Sequence, residues 1–127
     1  HTTYLDESEI KLKEDELFVK LVAAPINPAD INIIQGKYAL LPTKLPSIIG
    51  NEGLFEVVKT HNSNKEYKPG DWLLPIKSGW KTWRSHAIES QNSFLKIPNN
   101  LDKHACATLL VNPCTAYRML RDFRTLN

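Results

Sequence analysis

The chain has 127 residues, 42% of them hydrophobic and 24% charged, a globular composition that argues against disorder. Its 16 basic and 14 acidic residues are interspersed and leave a net charge of +2, so there is no basic stripe for nucleic acid. No apolar run approaches the ~18 residues of a membrane helix, and the length is about that of one domain.

Leu17 to Ala24 reads as a strand, rich in β-branched and aromatic residues and bounded by Pro25. A short helix follows, with Asn27 as its N-cap, Pro28 at the first helical position and Gly36 just past its end. Pro42 and Pro46 then disfavour helix and predict a loop. Gly53 to Lys59 is a second predicted strand. A polar turn region closes on Pro69-Gly70-Asp71, and Trp72 to Pro75 is a third strand. Residues 83–88 and 94–97 supply two more short strands. Short strands separated by Pro- and Gly-rich turns point to a small barrel or sandwich. After Pro98 the character changes. Asp102 caps a helix running to Leu109, and Asn112-Pro113 starts another, again as N-cap plus first-turn proline. Ala116, Tyr117, Met119, Leu120 and Phe123 carry its helical spacing.

Cys106 and Cys114 have seven residues between them, a spacing that matches no zinc or redox motif. Free cysteine packs as a small hydrophobe, so both are expected to be buried structural thiols, with a disulfide or a reactive thiol as the alternative. No secretory signal is visible and the chain does not begin with Met. We expect it to start inside a longer parent, from which a targeting segment can have been removed. The last helix, following a β domain, is expected to lead into a second domain.

Four motifs occur in order: Pro25-Ile26-Asn27-Pro28-Ala29-Asp30, Gly50-Asn51-Glu52-Gly53, Lys68-Pro69-Gly70-Asp71 and Val111-Asn112-Pro113-Cys114-Thr115-Ala116-Tyr117. With Ile34-Gln35-Gly36-Lys37-Tyr38, this set resembles the N-terminal GroES-like domain of the medium-chain dehydrogenase/reductase superfamily. Within it, the set is similar to the mitochondrial trans-2-enoyl-CoA (enoyl thioester) reductases of fatty acid synthesis. The resemblance covers roughly residues 17–127 and implies a mainly β fold with a few helices. That fold is a GroES-like, partly open β-barrel whose C-terminal helices lead to a Rossmann domain holding NADPH. No G-x-G-x-x-G occurs among the five glycines, so residues 1–127 are expected to be the catalytic domain alone, inactive by itself. Such a piece is expected to fold yet expose an apolar face where the second domain docks.

The resemblance also frames the chemistry. Zinc-dependent members place a cysteine near the position of Asn27 and a histidine at that of Asn51. Asparagine is a poor zinc ligand, and His1, His61, His86 and His104 lack ligand spacing, so no metal is expected. The implied reaction adds hydrogen across a C=C bond conjugated to a thioester, with enoyl-CoA or enoyl-acyl carrier protein as partner. The implied parent is a mitochondrial homodimer, with no nucleic-acid or membrane partner. The family's active-site tyrosine falls on Tyr38. A phenol ordinarily ionises near about pH 10, so it can give a proton or hydrogen-bond an enolate. The plainer reading of Tyr38 is an aromatic lid with its hydroxyl in water.

Asn112 and Thr115 correspond to residues near the nicotinamide end of NADPH. Capping explains Asn112 equally well, and a bond back to the helix backbone explains Thr115. Asn51 and Glu52 read first as a turn entering the second strand, with Glu52 in a structural or supporting role and direct catalysis as the alternative. Trp83 reads as core or pocket wall. Arg84 reads as solvated, or as a contact for an acyl carrier's phosphate. Two rivals remain: a metal-free quinone reductase, and a GroES-like binding module without catalysis.

Overall fold

Consecutive apolar residues in the strands build one sheet with two buried faces. In the computed structural model, which describes residues 9–77 and 79–123, the strands are β1 (Glu16–Ala23), β2 (Leu54–Thr60), β3 (Trp72–Pro75), β4 (His86–Ser90) and β5 (Phe94–Ile97). They form an antiparallel sheet in the order β4-β1-β2-β3-β5. The sheet is open, its edges being β4 and β5, and among the described residues it does not close into the expected partly open barrel. Three helices accompany it: α1 (Pro28–Ile34), α2 (Lys103–Ala107) and α3 (Asn112–Asp122).

The strand period of two sorts the core. Leu17 and Val19 of β1, Phe55 and Val57 of β2, Leu73 of β3 and Phe94 of β5 face one side together. Trp80 closes that side, its ring 4.7 Å from Phe55 and 5.0 Å from Phe94 in edge-to-face contacts. Leu54 and Leu74 face the other side, where Cys106 and Ala107 of α2 cover them. Asp102 caps α2 by accepting the His104 and Ala105 N–H groups, as its position predicts. The Lys68–Asp71 turn is pinned to β2, since Val57 N–H donates to Asp71 O and Gly70 N–H to Val57 O, both at 2.9 Å.

Besides shifts of one or two residues at strand ends, three boundaries differ from the sequence reading. The fourth strand starts at His86 rather than residue 83, because the backbone before it serves another partner: Lys81 and Thr82 N–H donate to Gly50 O, and Trp83 N–H to Ile49 O. The helix from Asp102 ends at Ala107, not Leu109. The third helix is capped by Val111, and Asn112 is already inside its first turn without a side-chain capping bond.

Candidate active site

The Tyr38 loop grows out of the end of α1. Gly36 takes φ +67°, a left-handed conformation that only glycine adopts cheaply, and Lys37 N–H closes the helix on Asn32 O at 2.8 Å. The chain then turns through residues 38–40. Tyr38 is half-buried and lines a cleft of about 320 Å³, walled by Ile33, Leu40, Leu41, Pro42, Ile48 and Ile49. Small-molecule pockets span about 300–1,000 Å³, so this cleft suits a short aliphatic group. Lys44 and Lys81, both exposed, also line it. The Tyr38 hydroxyl has no hydrogen-bond partner among the described residues.

Behind this cleft lies a polar network that the sequence did not reveal. Asn51, which lines the cleft, donates its Nδ2 to Asp30 Oδ1 at 2.8 Å and accepts Gly79 N–H on its Oδ1 at 3.1 Å. Asp30 Oδ2 accepts the Asn27 backbone N–H at 2.8 Å, the return half of a capping box at the start of α1. Asn27 Nδ2 donates to Glu52 Oε2 at 2.9 Å, and Glu52 Oε1 accepts Val111 N–H at 2.9 Å. Asp30 is 1% exposed and Glu52 4%, yet all four carboxylate oxygens receive an N–H. Buried charge is tolerable only when paired in this way. The network runs from the cleft wall to the residue before Asn112. Asn27 and Asn51 thus commit their amide nitrogens to carboxylates, and no group of three metal-ligating side chains occurs among the described residues. Asn27-x-x-Asp30 was the one legible trace, as capping-box spacing; its buried partners lie 21 and 25 residues away.

Asn112 and Thr115 are exposed, three residues apart on α3 and so on one face of it. Neither side chain is engaged by the described residues, which leaves an amide and a hydroxyl open to a ligand. Trp83, expected as core or pocket wall, is half-buried and donates Nε1–H to Pro25 O at 3.3 Å, while Trp80 packs against the core. Arg84 is half-buried. It pairs with Glu89 at 2.9 Å and stacks 4.4 Å over Trp80. Cys106 is buried and free, and burial first, then Asp102, pushes its thiol above the ordinary value. Cys114 is free but only half-buried. His1 lies outside the described residues.

A small antiparallel sheet domain, with an aliphatic cleft built on a Gly-ended helix and a turn carrying Gly50-Asn51-Glu52, defines a class. The chain belongs to the alcohol dehydrogenase GroES-like domain family, which matches residues 13–95. It is similar to the mitochondrial enoyl-[acyl-carrier-protein] reductase of Rattus norvegicus, 50% identical over 111 residues, which cover 87% of this chain and 30% of that protein. The Etr1p/NADP/crotonyl-CoA complex superposes with a TM-score of 0.84 at 36% identity, over 98% of this chain and 39% of that one. A structure described as a putative NADPH:quinone reductase from Bacillus thuringiensis superposes with a TM-score of 0.71 at 31% identity, over 93% of this chain and 35% of that one. The chain thus spans about 30% of the length of the curated relatives it matches.

Proposed function

We propose that residues 1–127 are the GroES-like catalytic domain of an NADPH-dependent 2-enoyl thioester reductase of mitochondrial fatty acid synthesis. The substrate is a trans-2-enoyl-CoA or enoyl-acyl carrier protein, a cofactor domain follows in sequence, and the parent is a homodimer that needs no zinc. The names of the relatives favour this reading. The observation that carries it is Tyr38, half-buried in an aliphatic cleft with an unengaged hydroxyl.

When bound, the nicotinamide supplies the hydride that reduces the conjugated C=C bond. The chain's own groups do the rest. Aliphatic walls hold the acyl chain and exclude water, which strengthens every hydrogen bond made inside. The Tyr38 O–H hydrogen-bonds the developing enolate or gives its proton to Cα. Asn112 and Thr115 offer an amide and a hydroxyl on one helix face to the nicotinamide end of the cofactor. The exposed Tyr117, Met119, Leu120 and Phe123 of the last helical segment suit docking of the cofactor domain.

The test compares the two-domain parent with its Tyr38→Phe variant, following NADPH absorbance with trans-2-hexenoyl-CoA. The expected result is a rate loss of at least ~10²-fold with NADPH binding intact. Equal rates would make Tyr38 a packing residue. The likeness to the quinone reductase favours a second reading, and crotonyl-CoA against a quinone as acceptor separates the two.

A further inference from the structure

The helix α3 is held to the sheet domain by little of its own surface. Every residue from Asn112 to Asp122 is exposed except the half-buried Cys114, and the helix has no side-chain cap of its own. Leu109 and Leu110, just before it, pack against the Leu54 cluster. The one charged group at its start is Glu52, whose Oε1 accepts the N–H of the cap residue Val111. A carboxylate there is favoured by the helix dipole, and its bonds to N–H donors are roughly twice as strong as neutral ones. Glu52 is itself immobilised. Its Oε2 holds Asn27 Nδ2, and its carbonyl accepts the buried Thr82 Oγ1–H at 2.9 Å. Through Asn27, Asp30 and Asn51 the same bonds reach the Tyr38 cleft.

We infer that Glu52 is a positioning residue: it fixes the first turn of α3, and with it Asn112 and Thr115, relative to the Tyr38 loop. That this setting governs cofactor affinity rests on the reading of Asn112 and Thr115 given above. Glu52 touches no reacting atom in this account. It acts through the Val111 N–H.

The test uses the full-length parent with Glu52→Leu and Glu52→Gln. The leucine variant removes both acceptors. The glutamine variant keeps one oxygen for Val111 N–H and alters only the contact with Asn27. Hydrogen exchange of the Val111, Cys114 and Thr115 amides, which are bonded in the structure, referred to strands β1 and β2, is the first readout; the KM for NADPH and kcat are the second. Glu52→Leu should speed exchange at Val111, Cys114 and Thr115 about tenfold beyond any change in the strands, and raise the KM for NADPH by a similar factor with a smaller change in kcat. Glu52→Gln should stay within about threefold of native on both. Where leucine at this buried position prevents folding, Glu52→Ala, which leaves room for water, serves the same comparison. Exchange that rises equally in the strands and in α3, or not at all, overturns the proposal, because Glu52 would then only stabilise the domain. Local loosening of α3 with an unchanged KM supports positioning by Glu52 and instead overturns the cofactor role of Asn112 and Thr115.

Discussion

Replacing Asp30 by asparagine changes one buried atom and leaves the shape intact, so its cost can be worked from the hydrogen bonds. Asp30 is 1% exposed, and its two oxygens accept the Asn27 backbone N–H and Asn51 Nδ2–H, each at 2.8 Å. The new amide at position 30 must point its NH₂ at one of these donors. The Asn27 N–H belongs to the backbone and cannot turn away. Asn51 can flip, but its Nδ2 would then face the Gly79 N–H that its Oδ1 now accepts at 3.1 Å. Whichever way the amides settle, one donor meets another, either at the Asn27 N–H or at the exposed Gly79 N–H, where water takes up part of the mismatch, at a cost of up to about 1–3 kcal/mol. Losing the negative charge in the first turn of α1 adds about 0.3–1 kcal/mol. The total of about 1–4 kcal/mol corresponds to a fall in Tm of roughly 4–16 °C, at about 4 °C per kcal/mol for a chain of this length. Thermal unfolding followed by circular dichroism reads it directly. The double variant Asp30→Asn/Asn51→Asp reverses the polarity: the carboxylate at position 51 accepts both Gly79 N–H and the amide at position 30, whose oxygen keeps Asn27 N–H. It should recover at least half of the loss. A single variant within ~2 °C of native, or a double variant no better than the single, refutes the directional network.

Two further outcomes follow from other parts of the sheet domain. A Cβ at Gly50, where φ is +104°, would meet Trp83 Cδ1 at 2.6 Å and the Trp83 backbone N at 2.8 Å, whereas one at Gly70, φ +90°, meets nothing within 4 Å. Gly50→Ala should therefore cost about 2–6 kcal/mol and Gly70→Ala only the backbone strain of about 1–3; denaturant midpoints of equal size in the two would count against the close approach of residues 49–52 and 79–83. Burial works against the charge on Asp71, but hydrogen bonds from Lys96 Nζ at 2.6 Å and Lys68 N–H at 2.9 Å, with the charges of both lysines, hold its carboxyl below the usual aspartate value. The folded chain binds this proton more weakly than the unfolded one. The contribution is therefore whole above about pH 3.9, the ordinary aspartate value, and is lost as pH falls through the lower folded value. Asp71→Asn should lose stability less steeply than the native chain below pH ~4, and parallel acid limbs would dismiss the Asp71–Lys96 pair as a source of stability.

Local chemistry made the elements legible in the sequence. Short apolar runs in 17–23, 54–60 and 72–75, bounded by turn residues, read as strands, because a strand buried on both faces carries apolar residues at consecutive positions. Asn27-Pro28 and Gly36 punctuate α1, and Asp102 caps α2, through bonds within three residues of each cap. The ordered motifs were enough to indicate the family that residues 13–95 then matched.

The tertiary structure alone decided which polar groups meet. Asn112 reads as a cap by its type, yet Val111 takes that place, because a carboxylate 59 residues earlier holds the Val111 N–H. Trp80, not Trp83, enters the core, because residues 79–83 wrap the Gly50 turn and turn the rings accordingly. Asn27, Asp30, Asn51 and Glu52 each have a sufficient local explanation as cap or turn residue. Their joint network depends on burial, and burial is a property of how the sheet, α1 and the Gly50 turn pack rather than of any window of sequence.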